Sequence, residues 1–159
     1  AGDRRVLDLP LGAEVGVEFR LGDIEDMPVE SNSINVDISN CVLNLVPDKE
    51  KAFAEIYRVL KPGGHLSVSD VVIRGELPQH LREAAELYAG CVAGAIAIDD
   101  YLAIMNQAGL KNITIQKEKA VQVPDEILLE YLSSTELEQL KKSGVGIFSI
   151  TVYAGKIEV

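Results

Sequence analysis

The hydrophobic period changes between residues 34 and 72, and that change limits the fold more than any other feature of the chain. Ile34, Val36 and Ile38 alternate with polar residues, the two-residue period of a strand that ends near Asn40-Cys41. From residue 48 to 60 the period lengthens. Phe53, Ile56, Tyr57 and Leu60 fall at helical spacing, and "KPGG" then stops the helix. Residues 66–72 ("LSVSDVV") read as a strand again. Strand, helix and strand in that order predict a parallel pair joined by a right-handed crossover.

The rest of the chain keeps the alternation. Residues 17–21 ("VEFRL") read as a strand running into a loop at Gly22-Asp23, and residues 6–9 are a short apolar run broken by Pro10. Pro78 can start a helix whose one face carries Leu81, Ala84, Ala85, Tyr88, Cys91 and Val92. Asp99 or Asp100 is expected to cap a further helix that runs through Ala108 and closes at Gly109. Residues 113–121 and 145–157 read as strands that pair antiparallel at an edge. Between them, residues 124–132 and 135–142 read as helices, the second opened by a capping box, Ser133 to Glu136. With 159 residues there is enough chain for one α/β layered domain with a real core. Ligands of such sheets sit outside the carboxyl ends of the strands, where Asp23, Cys41 and Asp70 are expected to lie.

Composition removes several classes of function. The net charge is −10 and no basic run appears, which argues against nucleic acid and against an anionic membrane surface. No apolar run reaches the roughly 20 residues of a membrane helix. No basic, apolar leader opens the chain, so no secretion signal is expected. The chain opens Ala1-Gly2 without an initiator Met and reads as a processed or cut piece. The two cysteines lie fifty residues apart and make no disulfide framework, so a reducing cytoplasm with free thiols fits. His65 and His80 share no ligand spacing with each other or with the cysteines, and no metal site is expected. Gly63-Gly64 reads as a turn without phosphate-loop spacing.

Three stretches carry a family resemblance. "VEFRLGDIEDMPVESNSINVDISNCVLNLVPDKEKAFAEIYRVLKPGGHLSVSDVVIRGELP" resembles the S-adenosylmethionine-dependent arsenite methyltransferases, as do "YAGCVAGA" and "GIFSITVYAGK". "GDIEDMP" and "LKPGG" are shared by many Rossmann-like small-molecule methyltransferases. "SNCVLNLVPDK" and "GCVAGA" set both cysteines in the arsenite family's context. The resemblance implies a Rossmann-like, largely parallel sheet with helices on both faces and an antiparallel edge strand, incomplete at the N-terminus. Residues 1–159 would be a single partial S-adenosylmethionine-dependent methyltransferase domain. Residues 1–16 would be a worn or displaced remnant of the first strand and glycine loop, since Pro10 stands where the loop's first glycine is expected. The family's further upstream cysteines are absent from the sequence.

By the same resemblance, the chain transfers a methyl group from S-adenosylmethionine to trivalent arsenic, supplied as arsenite or a thiol conjugate of it. Cys41 and Cys91 would hold the arsenic, Asp23, Ile24 and Glu25 would border the adenine, and Asn40 would lie beside the cofactor. Trivalent arsenic is soft, so thiolates suit it, and its lone pair is the nucleophile, so no general base is required. The protein's task is then alignment. Plainer readings stand beside these. Cys41 also fits a small apolar residue at a strand end, Cys91 a core position, and Asp23 and Glu25 solvated loop acids. Asp70 is either a strand-end carboxylate or a turn acid. Two other functions remain open: methyl transfer to carbon, oxygen or nitrogen, and a non-catalytic fold fragment that works by association. In the family's sheet order the strand that would pair with residues 17–21 is missing here, so an exposed strand edge and a homo-oligomer are expected.

Overall fold

The computed structural model describes residues 16–158. β1 (Ile34–Asn40), α1 (Lys49–Val59) and β2 (Leu60–Arg74) form the crossover expected from the period change, and β1 and β2 pair in parallel. α1 begins where the Asp48 carboxylate accepts the Lys51 N–H at 2.9 Å, satisfying a donor of the first turn. "KPGG" is not a simple helix stop. It lies inside the start of β2, where Ile34 pairs with Leu60 but Val36 with His65, so residues 61–64 bulge out of the ladder. Gly63 takes φ +78° in that bulge, a conformation open to glycine.

Then come α2 (Gln79–Tyr88), α3 (Ile98–Gln107), β3 (Lys111–Ala120), the single turn α4 (Asp125–Leu128), α5 (Ser134–Ser143) and β4 (Gly146–Gly155). The sheet order is β1-β2-β4-β3, with β4 antiparallel to both β2 and β3. Three strands therefore share one direction and β4 alone is reversed. The reversed strand sits one place in from the edge, with β3 outside it.

Strand alternation divides the core between two faces. Leu66, Val68 and Val72 of β2 pack with Phe53 and Ile56 of α1 and with Tyr101 and Met105 of α3. Phe53 and Tyr101 meet edge to face at 5.4 Å, joining the two helices. Val71 and Ile73 have the opposite parity and pack with Ala85 of α2, Val92 and Ala95. Helices thus cover both faces. On the second face, Val36 and Ile38 of β1 stay exposed, at 44% and 79%.

Three expectations need correction. Residues 17–21 form no strand, because no described neighbour takes up their backbone groups; Val17, Phe19 and Leu21 are exposed. Cys91 is not on α2, which ends at Tyr88 when Ala89 turns extended; it sits in a separate 3₁₀ turn, Gly90–Val92. α3 is capped by Ala97 without a side-chain bond, and Asp99 and Asp100 lie inside its first turn, where they favour the helix dipole instead. The capping box of α5 forms as expected, with Ser133 and Glu136 bonding reciprocally. The reading of residues 1–16 as a first strand and loop falls, except for Gly16, outside the described residues.

Candidate functional site

The carboxyl end of β1 is where the site begins. Cys41 follows Asn40 with φ +54°, the left-handed region that a non-glycine residue seldom takes. Its N–H donates to the Ser69 carbonyl at 2.8 Å, so the ladder to β2 persists through the turn. The chain then winds into a 3₁₀ turn, Leu43–Leu45, and enters α1. Leu43 points into the core, and Val42 and Leu45 stay exposed.

The loop before β1 is clamped to α1. Arg58 donates to the Val29 carbonyl at 2.8 Å and the Met27 carbonyl at 3.1 Å. Glu55 pairs with Arg58 at 2.7 Å and accepts the Met27 N–H at 2.9 Å. The Arg58 guanidinium holds the Glu55 carboxyl below its usual range. Within the loop, Asp23 accepts the Glu25 N–H at 2.9 Å, and Glu25 accepts the Asp48 N–H at 3.1 Å. These bonds place Asp23, Ile24 and Glu25 along one side of a cleft of about 490 Å³. Cys41, Val42 and residues 45–48 form the other side. Asn40 does not line it; it pairs with Ser69 on the sheet face that carries Ile38.

Cys91 does not line this cleft either, but it stands close to Cys41. The Asn44 side-chain amide donates to the Cys91 carbonyl. Burial pushes the Cys41 thiol pKa up, and the neighbouring Cys91 and Asp70 charges push it further. Asp70 is 1% exposed. Tyr101 donates its hydroxyl to it at 2.9 Å, and the backbone N–H groups of Val71 and Asn44 face it. Burial raises the Asp70 carboxyl pKa, opposed by those donors and by the Lys49 charge. Burial, with the Asp70 charge behind it, likewise raises the Tyr101 phenol.

The structure thus unites Cys41 with Asp23, Ile24 and Glu25, and sets Cys91 and Asp70 close behind it. Sequence reading missed Asn44, Gly94 and Tyr101. Asn44 did carry a signal: it is a polar residue inside the apolar run "VLNLV". His65 stacks on Tyr153 at 5.2 Å and His80 on Tyr131 at 6.4 Å, both away from the cleft. A larger groove of about 970 Å³ lies between α2 and the β3–β4 side and includes none of the expected site residues. No helix among the described residues is long and apolar enough to cross a membrane.

Residues 10–109 match the family model for a methyltransferase domain. The chain is 42% identical over 131 residues to an arsenite methyltransferase of Halobacterium salinarum, covering 79% of this chain and 34% of that protein. It is 37% identical over 119 residues to an arsenite methyltransferase of Aquipseudomonas alcaligenes, covering 73% and 34%. The chain therefore spans about a third of the length of these curated relatives. In structure it is similar to CrArsM, an arsenic (III) S-adenosylmethionine methyltransferase from Chlamydomonas reinhardtii. The TM-score is 0.66 at 31% identity, covering 86% of this chain and 43% of that one. The chain belongs to the methyltransferase domain family.

Proposed function

We propose that this chain is the arsenic-binding and adenine-binding part of an S-adenosylmethionine-dependent arsenite methyltransferase. The observation that carries the proposal is the shared cleft: the "GDIE" loop and Cys41 line one space, with Cys91 behind Cys41. The residues present suit the cofactor's adenine. Asp23 and Glu25 offer carboxylate acceptors for an amino group, and Ile24, Val42 and Leu45 offer apolar surface for a ring face. Asn40 would stand at the sheet side of the same strand tip. When bound, S-adenosylmethionine supplies a methyl group on a sulfonium, an electrophile suited to a soft nucleophile.

Cys41 and Cys91 would hold the acceptor. Arsenite reacts with two thiols by exchanging two As–O bonds for two As–S bonds. Each thiol proton leaves with an arsenite hydroxyl as water, so no proton is gained or lost. The attacking form is nevertheless the thiolate. Because the Cys41 pKa is raised, its capture rate should keep climbing past about pH 8.5, where an ordinary thiol levels off. Residues 1–159 would act as one partial domain in a reducing cytoplasm.

Calorimetry on the reduced chain tests the reading. S-adenosylmethionine and arsenite are titrated separately into wild type, Cys41→Ser and Cys91→Ser. Saturable binding of both ligands is expected, with each serine variant losing arsenite affinity and keeping the cofactor. Arsenite binding that survives both substitutions overturns the thiol assignment and favours a carbon, oxygen or nitrogen acceptor. No cofactor binding at millimolar concentration overturns the claim that this chain holds the adenine.

A further inference from the structure

The two cysteines come from segments fifty residues apart, and neither lies inside a long helix or strand. Cys41 opens the turn after β1, and Cys91 sits in a 3₁₀ turn after α2. Something must fix their spacing if one small atom is to bridge them. Asn44, three residues past Cys41, touches the Cys91 carbonyl, Asp70 and Gly94. It is fully buried although polar. Its side-chain amide donates to the carbonyl of Cys91 itself. Its backbone N–H faces the buried Asp70 carboxylate, which Tyr101 holds from α3. Its carbonyl lies against the backbone of Gly94, where any Cβ would collide with it. Asn44 also leaves its Oδ1 without a hydrogen-bond partner among the described residues. Such an atom carries the desolvation cost of an unmade hydrogen bond, so stability alone does not favour an amide here.

We infer that Asn44 is a positioning residue that welds the Cys41 turn to the Cys91 turn and so sets the spacing of the two thiols. Gly94 is the other half of the weld, because its bare Cα lets the turns meet backbone to backbone. The inference rests on the reading of Cys41 and Cys91 as joint ligands of one arsenic atom. It adds an assignment that the ligands alone do not give: the dithiol site is specified by a residue three positions past the first cysteine. Outer partners of soft-ion ligands typically change affinity by roughly 10- to 100-fold when removed.

The test separates spacing from chemistry. Asn44→Leu keeps the branched shape and removes the amide; Gly94→Ala puts a Cβ against the Asn44 carbonyl and pushes the two turns apart without changing the Asn44 side chain or a thiol. Dibromobimane, which becomes fluorescent when it bridges two thiols, reports their spacing without arsenic. Iodoacetamide reports the reactivity of each thiol alone, read by peptide mass. Phenylarsine oxide, which takes two thiolates, reports the joint site. Both variants are expected to lose about tenfold in bridging rate and in phenylarsine oxide affinity, while single alkylation stays within about twofold of wild type. Should Asn44→Leu fail to fold, Asn44→Ser, too short to reach the Cys91 carbonyl, replaces it. Unchanged bridging in a folded Asn44 variant overturns the inference. Intact bridging in wild type with no gain in phenylarsine oxide affinity over Cys91→Ser would instead overturn the arsenic reading and leave the spacing result standing.

Discussion

At Cys41 the backbone itself marks the site. A left-handed conformation costs an L-residue about 1–2 kcal/mol, and cysteine has no local hydrogen bond to offset it, as asparagine has. Cys41→Gly should therefore be more stable than Cys41→Ala by about 1 kcal/mol, the reverse of the order found at ordinary positions. Urea unfolding of the two variants checks this, and equal midpoints would show that the position carries no strain. The sequence placed the thiol at the strand tip, because alternation ends there. It did not disclose the left-handed turn, since cysteine is not a turn former. Asp70 read as a strand-end carboxylate or a turn acid, but β2 runs on to Arg74 and Asp70 lies inside it; its burial against Tyr101 depends on α3, about thirty residues on. The folded Asp70 carboxyl lies above its ordinary value of 3.8. Between those two values the native chain holds a proton that the unfolded chain has lost, so stability falls as pH rises through that window. Asp70→Asn removes this loss. Wild type should lose stability relative to the variant as pH rises above 3.8 in unfolding experiments, and parallel pH curves would contradict it.

At the scale of elements, α1 does more than cross between strands. Its last turns bind the cleft loop through Arg58 and Glu55, and its carboxyl end is pinned by Lys156. The Lys156 ammonium donates to the Tyr57 and Leu60 carbonyls and to Asn32, each at 2.8 Å, beside the Tyr57 ring. Arg58→Met should free the loop that bears Asp23, Ile24 and Glu25. Proteolysis within residues 22–31 should speed up and cofactor affinity should fall, with phenylarsine oxide affinity kept, because the thiol turns do not touch Arg58. Equal losses of both affinities would mean that α1 supports the whole site rather than one wall. Elements with a full apolar period and a local cap were readable: α1 with Asp48, and α5 with its Ser133 box. Elements defined by a distant neighbour were not. Residues 17–21 have the pattern of a strand without a described partner, and the apolar face of α2 runs on into Cys91 and Val92 although the helix stops at Tyr88. The bulge at Lys61–Gly64 was hidden for the same reason, because register belongs to a pair of strands.

For the whole molecule, the consequence is an open side. Among the described residues β1 pairs with β2 alone, so its outer edge offers unpaired backbone groups, and Val36 and Ile38 stand exposed beside that edge. The exposed Val17, Phe19 and Leu21 add to the uncovered apolar surface. Native edges are usually blunted by charge, proline or a cover, and β1 reads INVDISN, with one acid that lies on the opposite face from Val36 and Ile38. Association through this edge is expected, either with a second copy or with a chain that supplies the neighbouring strand. Light scattering should report a mass above the 17.2 kDa of one chain, rising with concentration. Ile38→Lys places a charge on the exposed face without entering the core. It should shift the mass toward that of one chain while the melting temperature of the monomer stays within about 2 °C of wild type. A wild-type chain that stays monomeric across a wide concentration range would contradict association. Association that Ile38→Lys leaves untouched would move the interface to another surface, such as the groove between α2 and the β3–β4 side.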